Sequence, residues 1–205
     1  MTTVSEVAAA GHRHRADAQR SIEAILDAAP RVLGERPDAS MDDVAKAAGV
    51  SRQTVYAHFT SRDALINALF ERMTARVVAA IHAAHLDHGP AAEALLRMLH
   101  IAWDIFEGEP FVLHVAVPPA SAERERDRHQ PVLDPLERLI RRGQRTGEFD
   151  RRPPVGWLIS ATLALGHAAG EEVRAGRMTT KQAFTALQRS ILRLYTSTAP
   201  TDTTP

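Results

Sequence analysis

What most constrains this chain is its punctuation. Apolar residues recur at spacings of three and four in segment after segment, and short clusters of Gly, Pro, Asp and Ser interrupt them. From Arg15 to Leu33, the residues Ile22, Ile25, Leu26, Ala29, Val32 and Leu33 fall on one helical face. "GERPDAS" (34–40) ends that face, and "DHGP" (87–90), "EGEP" (107–110), "PPAS" (118–121) and "GEFDRRPP" (147–154) break the chain again. Between these breaks the spacing predicts helices over 62–85, 91–106, 121–146, 155–175 and 179–195. Residues 111–117, "FVLHVAV", fit a strand or a buried helix equally well by periodicity, and the helical surroundings favour helix. Pro131 and Pro135 each remove a donor, so 121–146 is expected to kink or to form two pieces. The reading is all-α, with about nine helices. Residues 1–11 are expected to be a flexible leader and 196–205 a disordered tail.

Several function classes drop out at this point. No run of apolar residues is long enough to span a membrane, and the N-terminus has no secretory apolar core. Cysteine is absent, which excludes disulfides and thiolate metal sites. A cytoplasmic location follows as the default expectation. Hydrophobic residues make up 44% of the chain, enough for a sizeable core. The 25 Lys and Arg balance 25 Asp and Glu, which argues against a globally basic nucleic-acid binder. The local distribution differs. Residues 44–62 carry Lys46, Arg52 and Arg62 and no acid, and residues 12–16 add Arg13 and Arg15. Such local cations are what phosphates sense.

The informative stretch is "DDVAKAAGVSRQTVYAHFTSRDAL", residues 42–65. Ser40 is placed to cap a short helix by accepting from the N–H of Asp43, and Asp42 and Asp43 suit the positive helix end. Gly49 fits a left-handed position just past that helix. Ser51 caps a second helix over about 52–58, and Ser61 a third start. Val44, Val55 and Phe59 make a miniature core, and Ala45 lets the two helices approach. A helix–turn–helix needs this combination within about twenty residues. Ser51, Arg52, Gln53, Thr54, Tyr56 and His58 then remain for the open side. Arg52 and Gln53 start the second helix, where side chains reach base edges. Arg suits guanine O6/N7 and Gln adenine N6/N7, each worth roughly 1–3 kcal/mol of discrimination. Thr54, Tyr56 and Arg62 suit phosphates, which fix register. By pattern alone, an ordinary helical protein with a polar helix after a glycine turn remains open.

The same stretch resembles the DNA-binding segment of TetR-family bacterial transcriptional regulators. Val44-Ala45, Ala48-Gly49-Val50-Ser51, Thr54-Val55-Tyr56, His58-Phe59 and Ser61-Arg62-Asp63-Ala64-Leu65 fall in that family's register. Gln53 stands where glycine is frequent, and Arg62 where lysine is usual. A weaker likeness covers "RRGQRTGEFDRRPPVGWL" (141–158). The resemblance implies a helix–turn–helix DNA-binding domain over 12–62 and a ligand-binding and dimerisation domain over 63–195, with the long helix 62–85 shared by both parts. It implies a homodimer on a pseudo-palindromic double-stranded DNA operator. It also implies a repressor released by a small-molecule inducer of unknown identity, with no cofactor and no enzymatic activity.

Helices 155–175 and 179–195 are more apolar than a monomer's surface requires, and Ala161, Ala164, Gly166, Ala168, Ala169 and Gly170 would let helices meet closely. These residues are the expected dimer contact. Met98, Trp103, Phe106, Phe111, His114, Trp157 and His167 are the candidate ligand-binding residues, since apolar walls with a few polar groups suit a small molecule. The bland alternative for each is simple core. His82, His85 and His88 raise a metal question, but without Cys or a close carboxylate set, solvated surface histidines are the better reading. No nucleophile–base pair or cofactor loop supports an enzyme. A helical module that only sequesters a ligand is disfavoured by the intact polar set from Arg52 to Arg62.

Overall fold

The computed structural model describes residues 4–113 and 122–196, and its described residues contain eight α-helices, one 3-10 helix and no strand. Two compact units emerge: Met1–Glu71 with Glu109–Pro119, and Arg72–Gly108 with Ala120–Pro205. The division falls inside a continuous helix, α4 (Arg62–Ala83).

The first unit holds α1 (Val4–Glu35), α2 (Met41–Ala48), α3 (Arg52–His58), the start of α4 and a 3-10 helix (Pro110–Leu113). Its core is Ile25, Ala29, Val32 and Leu33 from α1, Val44 and Ala45 from α2, Val55 and Phe59 from the third helix region, and Leu65, Ile66, Leu69 and Phe70 from α4. Phe111 inserts from the 3-10 helix and meets Phe70 edge-on, with ring centroids 5.3 Å apart. Two expectations change here. Residues 4–11, expected as a flexible leader, are helical, consistent with the strong helix propensity of their alanines. Residues 111–113 lie in a 3-10 turn rather than an α-helix. His114, with the rest of that apolar run, lies outside the described residues, as do tail residues 197–205.

The second unit contains the rest of α4, α5 (Ala91–Glu107), α6 (Ala122–Thr146), α7 (Val155–Arg174) and α8 (Thr180–Tyr195). Val77, Ile81, Leu95, Met98, Trp103, Leu136, Ile140, Phe149, Leu158, Leu187, Ile191 and Tyr195 form one apolar core. α6 runs unbroken through Pro131 and Pro135, so of the kink or two pieces expected there, the two-piece form does not occur. Beyond the prolines it buries Leu136, Leu139 and Ile140, and packing of that face outweighs the lost donors. Pro90 cannot cap α5, and the Glu148 carboxylate takes over by accepting from the Ala92 N–H at 3.2 Å. The link from α6 to α7 is fastened by Gln144, whose amide donates to the carbonyls of Asp150 (2.9 Å) and Pro153 (3.0 Å). The Thr162 hydroxyl and the buried Tyr195 phenol bond at 2.8 Å, tying α7 to α8.

Candidate nucleic-acid interface

The turn between α2 and α3 is built from local chemistry. Ser40 and Asp43 form a capping box: the Asp43 N–H donates to Ser40 Oγ at 3.2 Å, and the Ser40 N–H to Asp43 Oδ2 at 2.9 Å. The Ser40 hydroxyl donates to the same oxygen at 2.6 Å, and Arg36 pairs with Asp43 at 3.1 Å. These bonds, Ser40 first and Arg36 after, hold the Asp43 carboxyl well below the usual carboxylate range. Gly49 sits at φ 67°, ψ 26°, the left-handed region where a side chain is strained. The N–H groups of Gly49 and Val50 then close onto the carbonyls of Lys46 and Ala45. Ser51 caps α3 by accepting from the Thr54 N–H at 3.0 Å.

The second helix therefore starts with its side chains sorted. Val55 and Phe59 are buried, while Ser51, Arg52, Gln53, Tyr56 and Ala57 are exposed. Thr54 is half-buried, and its hydroxyl shares a 2.8 Å bond with that of Ser51, so it is drawn into the cap. His58 is half-buried in the last turn. Arg52 pairs with Asp42 of α2, Nη1 to Oδ2 at 3.0 Å, and its guanidinium lies 5.3 Å from the centroid of the Tyr56 ring. Arg62 is half-buried and donates from Nη2 to the Pro37 carbonyl in the α1–α2 loop. Arg15 is exposed on α1; Arg13 lies on the same helix, with its side chain outside the described residues.

Sequence reasoning found the caps and the exposure of Ser51, Arg52, Gln53 and Tyr56, placed Thr54 and His58 on the open side although both are half-buried, and missed the two tethers. Asp42 reads as an acid at a helix start, and nothing in its spacing announces Arg52 as its partner. The Arg62–Pro37 contact joins residues 25 positions apart, beyond any local pattern.

The candidate ligand residues divide. Met98 and Trp103 are core residues of the second unit, and Phe106 is half-buried beside them. Phe106, Trp103 and Phe184 form a ladder, with centroids 5.2 Å and 5.3 Å apart, and His100 stands edge-on to Phe184 at 4.7 Å. His167 is exposed, its ring 5.3 Å from that of His129. Trp157 is 61% exposed on α7. Phe111 belongs to the first unit. α4 ends at Ala83, so His82 is helical and His85 lies beyond it at φ 47°. Among the described residues, no group of three or more His, Asp or Glu side chains is arranged to hold a metal ion, and no helix is long and apolar enough to cross a membrane.

Known proteins share this arrangement. The family model described as bacterial regulatory proteins, tetR family, matches residues 25–69. The chain is 34% identical over 161 residues to the HTH-type transcriptional repressor LfrR of Mycolicibacterium smegmatis, spanning 77% of this chain and 82% of that one. It is 27% identical over 180 residues to the HTH-type transcriptional regulator NfxB of Pseudomonas aeruginosa, spanning 83% and 91%. The crystal structure of the TetR-like regulator LfrR from Mycobacterium smegmatis in complex with proflavine superposes with a TM-score of 0.60 at 30% identity, over 88% of this chain and 99% of that chain.

Proposed function

The chain belongs to the TetR family of bacterial regulatory proteins and is a DNA-binding transcriptional regulator, and from that premise we propose that it is a repressor that a small molecule releases from a pseudo-palindromic operator. The observation that carries the DNA side is the sorted face of α3: Arg52 and Gln53 stand exposed at its start and Tyr56 one turn on, while the opposite side is pinned by Val55 and Phe59. Arg52 and Gln53 contact base edges, since both lie in the first turn, where a recognition helix enters the major groove. Ser51, Thr54, Tyr56 and His58 face backbone phosphate, with Arg62 and the α1 arginines Arg13 and Arg15 supplying charge.

Two copies present two reading helices, so we propose a homodimer through the exposed side of α7. Along it run Trp157, Ser160, Ala164, His167 and Ala168, and a Cβ added at Gly156 or Gly166 would meet nothing within 4 Å. A tryptophan among small residues suits a closely packed helix contact. The inducer binds in the second unit beside the Phe106–Trp103–Phe184 ladder, with Met98 on the same helix. Flat aromatic walls favour a flat, largely apolar ligand. That a relative at 30% identity was crystallised with proflavine supports this class. We propose no catalytic activity.

Fluorescence anisotropy on duplexes selected by the protein from a random library tests the reading. Arg52→Ala should lower affinity for selected duplexes by about ten- to a hundredfold and barely change it for scrambled ones. Arg62→Ala should weaken both equally and flatten the dependence on salt. Equal losses on both duplexes for Arg52→Ala would remove the base-contact role.

A further inference from the structure

Asp42 and Asp43 stand side by side at the start of α2, and the fold uses only one of them. Asp43 closes the capping box and pairs with Arg36. Asp42 takes no part in the cap. Its Oδ1 is buried with no hydrogen-bond partner, while Oδ2 accepts from Arg52 Nη1 at 3.0 Å across the turn. A buried acceptor left unpaired is costly, and the one bond that the other oxygen makes is to the side chain best placed to read a base. Tyr56, one turn along α3, lies under the same guanidinium at 5.3 Å.

We propose that Asp42 is a positioning residue for base recognition. With Tyr56 it fixes the plane and reach of the Arg52 guanidinium before DNA arrives, so that the fork meets guanine without first being ordered. The chemistry permits both contacts at once. A guanidinium carries five N–H donors in a rigid plane; one is committed to Asp42, and those on the adjacent edge suffice for the paired contact to guanine O6 and N7. Holding a long side chain in its bound rotamer removes part of the ordering cost of binding. An asparagine at this position has the shape of aspartate but lacks the charge that strengthens the bond to Arg52.

The inference rests on the base-contact reading of Arg52, and one experiment separates the two. The probes are the duplex selected by the full-length wild-type protein, its single-base-pair variants, and a scrambled duplex of equal composition. In the wild type, one G·C pair should carry a substitution penalty that Arg52→Ala abolishes. Asp42→Asn should shrink that same penalty by about two- to fivefold, the range an exposed ion pair supplies, and leave the penalties at other positions unchanged. Asp42→Glu, which keeps the charge, should restore part of it. In the Arg52→Ala background, Asp42→Asn should change no base-pair penalty. If Arg52→Ala abolishes no penalty, the base-contact reading fails. If Arg52→Ala abolishes one and Asp42→Asn leaves it at the wild-type value, the positioning role is overturned. It is equally overturned if Asp42→Asn shifts affinity by one common factor on every duplex, scrambled included, because that is loss of a repelling charge alone. Thermal melting of each variant checks that α2 is intact, and a measurable penalty in Asp42→Glu keeps the test open if Asp42→Asn unfolds.

Discussion

Gly143 lies in α6 directly beneath the Phe149 ring. A Cβ built there would stand 2.2 Å from Phe149 Cδ2, far inside contact distance. Alanine normally stabilises a helix interior relative to glycine by roughly 0.5–1 kcal/mol. Here the ring has nowhere to retreat: Phe149 is 2% exposed and packs edge-on to Tyr195 with centroids 5.0 Å apart. Overpacking of this kind typically costs about 1–3 kcal/mol and outweighs the helix gain. Gly143→Ala should therefore lower the urea midpoint at unchanged slope. A midpoint equal to that of the wild type would show that the Phe149 ring yields freely. Gly49 was legible in the sequence because a turn between two short helices demands a left-handed residue there. Gly143 was not, because its reason is a ring six residues on that the α6–α7 link folds back over it. The exposure of Arg52, Gln53 and Tyr56 on α3 was legible from local pattern, whereas the half-burial of Thr54 and His58 and the Asp42–Arg52 and Arg62–Pro37 tethers depend on packing that no local pattern announces.

At the scale of elements, α2 shows what local signals accomplish. Eight residues are too few for a helix to persist alone, so its ends must be fastened, and both fastenings were written in the sequence as Ser40 and Gly49. The Ser40–Asp43 box gives α2 a dependence on acidity. The folded state holds the Asp43 carboxyl below its ordinary value of 3.8, so the interaction contributes fully above that value and is lost as pH falls through the lower, folded one. Ser40→Ala removes the hydroxyl bond that is the largest cause of the depression, and leaves the backbone N–H at that position and Arg36 on the carboxylate. The variant should be less stable than wild type near neutrality, and the gap should narrow as a series of urea midpoints descends from about pH 5 toward pH 2. A gap independent of pH would mean that the charged form of Asp43 contributes nothing. The long helices were less legible in detail. The spacing marked where α6 begins and ends, and of the kink or two pieces that the prolines pointed to, the burial of Leu136, Leu139 and Ile140 rules out the two pieces. The apolar run at 111–113 supplies a single 3-10 turn whose task is to deliver Phe111 to Phe70, a partner that periodicity does not identify.

For the whole molecule, regulation through a two-fold operator requires two reading helices held at fixed spacing, and one protomer has only one. The exposed side of α7 is where the second copy is expected. Trp157 at 61% exposure is the most open large apolar side chain among the described residues, and it stands on a helix whose neighbouring exposed positions, Ser160, Ala164 and Ala168, are small. A tryptophan left mostly in solvent contributes little to the stability of its own chain, whereas buried against a partner it is among the side chain types that most often dominate a contact. Trp157→Ala should raise the dimer dissociation constant by about thirtyfold or more, corresponding to a loss of about 2 kcal/mol or more. Sedimentation velocity across a dilution series reads this directly. The unfolding midpoint of the monomeric variant should move little, because most of the side chain is already exposed within its own chain. Affinity for the selected duplex should fall in step with dimer loss and recover when protein concentration is raised above the new dissociation constant, while affinity for a half-site duplex stays unchanged. A Trp157→Ala chain that remains dimeric throughout the dilution series would move the contact off this side of α7. Loss of half-site binding would instead mean that the substitution has reached the DNA-binding unit itself.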